Sequence, residues 1–425
     1  MPNESAPGRP APADPVPGDA APGAAVAGGT VAASSGPGVF GDLAGQDAVV
    51  AELRQAAGAA AAVLRGERAT GMTHAWLFTG PPGSGRSVAA RAFAAALLCP
   101  YGGCGRCPSC HQVRAGTHAD LLLVRPDGLS YGVRQTRNLV LRAAGAPSGG
   151  RWQVVVFEDA DRATEQAANA LLKAIEEPAP RTVWLLCAPS AEELVTTIRS
   201  RCRLVTLRTP PSAAVAEVLA RDGVDPERAL AAARAAQGHI GRARRLATDP
   251  EAARRRDEVL AVPARLTGIG PAFAAAAALV KAAETEAAAI TEELDTPERE
   301  ALRRAFGEGS TGKGVAKAIR GSAGAMRELE DRQKSRATRL KRDALDRALL
   351  DLAAFYRDVL AVQVGAQVEL ASSGHERDVH RLAGSSRPEA TVRRIQAIMA
   401  CRERLELSVA PLLAVEEMTI ALAAS

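Results

Sequence analysis

The sequence predicts an α/β domain, a three-layer parallel sheet carrying a phosphate-binding loop, followed by helices alone. Three observations carry this. The loop Thr79-Gly80-Pro81-Pro82-Gly83-Ser84-Gly85-Arg86-Ser87 stands between a short apolar run at 75–78 and an alanine-rich segment at 88–98, the order strand, glycine loop, helix. Further apolar runs at 152–157 and 182–187 alternate with amphipathic helical stretches, the mark of buried parallel strands. Beyond Pro210-Pro211 no strand pattern recurs.

A chain of 425 residues has room for two or three domains. Hydrophobic residues make up 47% but aromatics only 3%, so alanine fills many apolar positions, which favours helices. A net charge of +5 and a pI of about 8.9 permit a nucleic-acid partner without demanding one. No apolar run approaches the roughly 18 residues that span a bilayer, and the N-terminus lacks the basic-then-apolar order of a secretion signal. Seven cysteines, four of them crowded together, then point to a reducing cytoplasm and a metal site.

Residues 1–38 are mostly Pro, Ala, Gly and Ser and read as a disordered tail. Order begins at Val39-Phe40 and continues as a helical pattern to Leu64. In the loop, glycines let backbone N–H groups curl around phosphate oxygens, and the following helix adds its positive end. Gly80, Gly83, Gly85, Arg86 and Ser87 are therefore nucleotide-binding candidates. The motif calls for Gly-Lys-Ser, however, and Arg86 brings a wide planar fork where lysine would bring a compact charge.

Cys99, Cys104, Cys107 and Cys110 follow at short spacing, with glycines and prolines to turn the chain. Four thiolates in this pattern suit tetrahedral Zn²⁺, and a closed four-sulfur shell is structural because no position is left for water. His111 and His118 read as polar helix or loop residues. Residues 121–124 and 132–141 read as a small sheet insertion. The strand at 152–157 ends in Glu158-Asp159-Ala160-Asp161, about 70 residues past the loop, where Mg²⁺ and an attacking water are handled in phosphoryl-transfer sites. The usual order of Asp then Glu is inverted here. Glu158 and Asp159 are either such a pair or acids that cap a strand or the next helix.

A helix at 164–177 stops at Pro178, a buried strand follows at 182–187, and the domain closes near residue 207 after Ser200-Arg201-Cys202. Residues 208–250 read as a small helical unit and 251–425 as helical throughout, with a basic, flexible insertion at about 280–345. Within it, 307–314 imitates a phosphate loop, but a charged helix precedes it and Gly314 stands where Ser/Thr is required, so it reads as a linker. Residues 313–347 carry eleven Lys/Arg against five Asp/Glu, which reads as a solvated helix face in preference to a nucleic-acid contact.

Taken together, Gly80 to Ser87, the cysteine module, Gly116-Thr117-His118-Ala119-Asp120, the stretch Asn169-Ala170-Leu171-Leu172-Lys173-Ala174-Ile175-Glu176-Glu177-Pro178 and Ser200-Arg201-Cys202 resemble the AAA+ clamp-loader subunits of bacterial DNA polymerase III. The likeness is strong over 39–247 and weak beyond. It implies an AAA+ domain at 39–207, a helical lid at 208–250 and a C-terminal collar at 251–425 that holds five subunits in a ring. It also implies partnership with the other loader subunits, the sliding clamp and primed DNA, in the cytoplasm around the nucleoid and away from membranes. Arg201 becomes an arginine finger offered to the ATP of a neighbour. Arg86, the inverted acids and Gly241, which stands where a motor subunit has a nucleotide-sensing arginine, favour the delta-prime type over the ATP-hydrolysing tau/gamma motor. The chain's own ATPase is then weak or absent, with ATP/Mg²⁺ binding left open and polymerase activity belonging to the holoenzyme. Two other readings compete: a working ATPase in which Arg86 replaces lysine, and a stand-alone zinc and DNA-binding module.

Overall fold

Strand β1 (Ala75–Thr79) is buried at every position and pairs in parallel with a strand on each side. The computed structural model describes residues 38–126, 128–149, 151–306, 315–407 and 409–424, with backbone alone over 315–323. Around β1 lie β2 (Leu121–Val124), β3 (Gln153–Phe157), β4 (Thr182–Ala188) and β5 (Arg203–Thr206), in a five-stranded parallel sheet ordered β2-β3-β4-β1-β5. Strands covered on both faces have no need of polar alternation, which is why β3 and β4 run as Val/Leu-rich stretches.

Successive residues of β1 serve opposite faces. Trp76 and Phe78 pack with Phe93 and Leu97 under α1 (Asp47–Leu64), α2 (Arg86–Leu98) and α3 (Pro108–Ala115). Leu77 packs on the other face with Trp184, Leu171 and Ile175 beneath α4 (Val133–Ala143), α5 (Glu165–Glu176) and the short α6 (Thr196–Arg199). Alanines along α2 let it approach the sheet closely, and Phe93 meets Trp76 edge-on with ring centroids 4.9 Å apart. The three-layer α/β expectation holds. The small insertion does not. Residues 121–124 belong to the main sheet, and 132–141 lie in a helix, because buried Thr136, Leu139 and Ala143 recur at the spacing of a helical stripe.

The chain continues through α7 (Ser212–Arg221), α8 (Pro226–Ala236) and α9 (Ile240–Thr248), which share a core of Val215, Leu219, Ala233 and Ala243. Then come α10 (Pro250–Leu260), α11 (Val262–Arg265), α12 (Ile269–Ala305), α13 (Val315–Gln363), α14 (Glu376–Ser385), α15 (Pro388–Glu406) and α16 (Pro411–Ala424). Leu349, Phe355, Tyr356, Ile398 and Met418 form their shared core. Helices α12 and α13 run antiparallel, stitched by Arg336 to Asp295 (2.5 Å) and Glu298 (2.6 Å) and by Arg347 to Glu286 (2.8 Å).

These contacts correct the reading of 313–347 as a solvated face: acids on α12 and on the α/β region engage several of its arginines. Within the 280–345 insertion, every described residue except Phe306 is helical. The linker at 307–314 and the tail at 1–37 fall outside the described residues.

Candidate functional site

The phosphate loop leaves β1 at Thr79. Gly80 has φ +148°, and a Cβ there would lie 2.5 Å from the Leu207 carbonyl oxygen; Gly83 has φ +89°, and its Cβ would lie 2.9 Å from the Cβ of His239. Both positions need glycine for conformation and for room. Helix α2 begins at Arg86 with no side chain capping its first turn, which leaves its N–H groups for an anion. The Ser84 hydroxyl is buried against Gly80, with no hydrogen-bond partner among the described residues. The loop therefore suits a phosphate. Its cation is occupied, however: Arg86 Nη1 donates to the Gly80 carbonyl at 2.7 Å, folding the guanidinium onto the loop's own backbone. His239 covers Gly83 and accepts the Arg242 N–H on Nδ1 (3.2 Å). Burial, with Arg242 close by, pushes its pKa down and keeps it neutral.

The acids at the tip of β3 are also engaged. Glu158 is buried and takes Arg125 at 2.8 Å and Arg91 at 3.6 Å. Asp159 sits in the left-handed region, φ +50°, an uncommon place for a residue with a side chain. Its carboxylate is held by Arg339 of α13 at 2.9 Å, and the same guanidinium donates to the Pro126 carbonyl at 2.5 Å. Three arginines thus surround two carboxylates. Metal handling requires acids free to meet Mg²⁺ and its waters, and neither is free in this arrangement. Sequence reasoning missed Arg91, Arg125, Arg339 and His239. Arg339 lay in the basic run already noted, but nothing local names a partner 180 residues away.

Arg201 stands in the turn between α6 and β5, half-exposed, paired with Glu176 at 2.8 Å and donating to the Thr197 carbonyl at 2.8 Å. Two of the quoted motifs, the one ending at Pro178 and Ser200-Arg201-Cys202, therefore meet at this ion pair. Register fixes its place relative to the loop. Trp76 pairs with Arg203 and Thr79 with Thr206, so Arg201 precedes the start of β5 while the loop follows the end of β1. At about 3.3 Å per residue the strands separate the two by more than 10 Å. Arg201 thus lies toward the opposite end of the sheet from its own loop, with its guanidinium held by Glu176 and the Thr197 carbonyl.

The four cysteines converge. Their sulfurs all lie within 4.8 Å of one another, with Cys99–Cys104 at 3.8 Å and Cys99–Cys107 at 3.6 Å. A tetrahedron with Zn–S of about 2.3 Å has edges of about 3.8 Å, so the cluster could hold Zn²⁺. Cys99, despite the short gap to Cys104, is buried at the centre of the group. The N–H of Tyr101 points at its sulfur (3.3 Å) and that of Cys110 at Cys107 (3.5 Å). Backbone donation from Arg106 draws the Cys104 thiol down to about 7, whereas burial raises Cys107 and Cys110. Four thiols packed within 4.8 Å of one another suit a single cation.

Residues 60–211 match the family described as DNA polymerase III, delta subunit. The chain is 41% identical over 155 residues to DNA polymerase III subunit delta' of Pseudomonas aeruginosa, covering 35% of this chain and 47% of that protein. It is 34% identical over 161 residues to subunit delta' of Bacillus subtilis, covering 37% and 49%. It is 33% identical over 190 residues to subunit gamma/tau of Mycobacterium bovis, covering 44% and 31%. The chain thus spans about half the length of the curated delta' relatives it matches.

Proposed function

We propose that this chain, which carries a domain of the DNA polymerase III delta-subunit family at residues 60–211, is a delta-prime-type clamp-loader subunit acting in a ring rather than as a motor. In this reading 39–207 is the AAA+ domain, 208–250 the lid and 251–425 the collar through which five subunits assemble. The assembly would load the sliding clamp on primed DNA, in the cytoplasm around the nucleoid. The cysteine module holds a structural Zn²⁺ through Cys99, Cys104, Cys107 and Cys110. One observation carries the proposal: Arg201 stands at the end of the sheet away from its own loop, while the acids that would serve that loop are engaged by Arg91, Arg125 and Arg339. A guanidinium in that place serves a neighbour's ATP, where it offsets charge developing on the γ-phosphate.

The test is a loader reconstituted from its companion subunits with Arg201→Ala. DNA-stimulated ATP hydrolysis should fall by about tenfold or more while the ring still assembles, and unchanged hydrolysis would sink the assignment. A second reading, a nucleotide-binding subunit with turnover of its own, is favoured by the uncapped start of α2 and the glycines of the loop. ATP binding to the isolated chain without turnover would place it between the two readings, and turnover lost in Ser87→Ala would make it an enzyme.

A further inference from the structure

A cavity of ≈ 80 Å³ opens between α9, α10, α12 and α13, lined by none of the loop residues, the cysteines or Arg201. Arg256 and Arg242 stand at its floor, buried and only slightly exposed respectively, and both reach Asp351, Arg256 at 3.1 Å. Arg245, Arg255 and Arg347 stand at its mouth, each partly exposed, and all three reach Glu286, at 2.7, 3.7 and 2.8 Å. Small apolar side chains such as Ala283 and Ala348 fill the rest of the wall.

Five guanidinia therefore share two carboxylates. Asp249 touches two of the mouth arginines from outside at 3.6 and 3.7 Å, and a positive excess remains even when it is counted. Donors outnumber acceptors as well: five guanidinia offer about twenty-five N–H groups against about fourteen lone-pair sites on Asp351, Glu286, Asp249 and the Ala371 carbonyl that Arg256 also reaches. A structural ion pair needs one arginine per acid, and gathering extra cations around a partly dry cavity is unfavourable unless an anion joins them. The volume exceeds the roughly 10–15 Å³ that one water needs and suits one tetrahedral oxyanion rather than a whole nucleotide. Planar forks converging on a small space are the arrangement that binds phosphate oxygens in pairs.

We propose that this arginine cavity, lying between the helices after residue 240 and the α12/α13 hairpin, is a binding site for a phosphate-class oxyanion, free or as the phosphoryl group of a small ester. The anion ties Arg242, Arg245 and Arg255 of α9 and α10 to Arg347 of α13, and so stiffens the joint between these segments.

The test titrates inorganic phosphate into the full chain, with ionic strength held constant by sodium chloride, following the thermal midpoint and ³¹P line broadening. A saturable rise beyond that given by chloride is expected. Arg255→Ala and Arg347→Ala should each weaken phosphate binding about tenfold, the scale of one lost charge-assisted pair. Arg203→Ala, which removes a surface pair with Glu52 at the sheet edge, should leave binding within about twofold. Arg255→Lys and Arg347→Lys keep the charge, protect against misfolding, and should still bind more weakly because the fork is lost. A nucleoside monophosphate run in parallel separates the sources: competition with phosphate points to an ester, and its absence to the free ion. The proposal is overturned if chloride matches phosphate, if folded mouth variants bind as the parent does, or if Arg203→Ala weakens binding as much as they do.

Discussion

Replacing Arg339 with alanine tests whether α13 is fastened to the acidic tip of β3. The side chain is 19% exposed and its partner Asp159 29%, so the pair is neither a loose surface contact nor a dry one. Its loss removes a charge-assisted bond of 2.9 Å to Asp159, a bond of 2.5 Å to the Pro126 carbonyl and a longer contact of 3.6 Å to Asp343. Exposed pairs contribute about 0–1 kcal/mol and hydrogen bonds to charged groups about 1.5–3 kcal/mol. Intermediate burial places the local cost at about 2 kcal/mol. That corresponds to about a 30-fold rise in the opening equilibrium of the contact. Amide hydrogen exchange reads it directly: α13 between residues 327 and 343 and the segment before α4 should exchange about 30-fold faster in Arg339→Ala, with α15 and α16 unchanged. Arg339→Ala combined with Asp159→Asn should be less than additive by about 1 kcal/mol. Strictly additive effects, or exchange equal to that of the parent chain, would refute the fastening.

Three further outcomes follow from the geometry. Purified under reducing conditions, the chain should carry one Zn²⁺, and Cys99→Ser should lose it as fully as Cys107→Ser, as measured by metal analysis; retention in Cys99→Ser alone would remove that residue from the ligand set. Asp120 is buried, which acts to raise its pKa, but the Ser148 hydroxyl and the N–H groups of Ser148 and Gly149 outweigh burial and hold it below the usual carboxylate range. A depressed carboxyl contributes stability above its unfolded pKa of about 4, and that contribution is lost as pH falls through its folded value. The parent should therefore lose stability relative to Asp120→Asn on acidification below about pH 4, and parallel acid-unfolding curves would remove this role. Finally, Arg86→Lys alone should not give steady ATP turnover, because Glu158 and Asp159 remain held by Arg91, Arg125 and Arg339. Turnover in the single variant would show that those contacts exchange readily.

Local pattern made the sheet and the cysteines legible. A run such as Trp152-Gln153-Val154-Val155-Val156-Phe157 has few fates other than a buried strand, and four cysteines within twelve residues can meet with little help from the rest of the fold. Residues 132–141 were harder because Val133, Leu139, Val140 and Leu141 satisfy a short strand pattern as well as a helical one. Length and the following Ala143 decide it, and only packing shows which. The site divides the same way. The glycine loop announced itself by spacing, but the occupation of Arg86, Glu158 and Asp159 depends on partners at 80, 125 and 339. Charge pattern on α13 shows that arginines are abundant and says nothing of which carboxylate each one meets.

The loop and the acids are both tied into the surrounding fold, and that bears on what they do besides any nucleotide chemistry. Gly80 and Gly83 are held in place by Leu207 and His239, residues of the segments that follow the sheet, so the loop is also the joint on which α9 rests. Replacing either glycine would damage that joint whether or not a nucleotide ever binds. The acids are likewise joints: Glu158 ties β3 to Arg91 of α2 and to Arg125 beyond β2, and Asp159 ties it to α13. To serve a metal, each would have to give up contacts to its guanidinium, at a cost of about 1–2 kcal/mol for these partly exposed pairs. A motor must make such changes in every cycle. If the proposed role of Arg201 is right, a subunit that holds one geometry gains from making them costly, and the residues at the tip of β3 then act as fasteners.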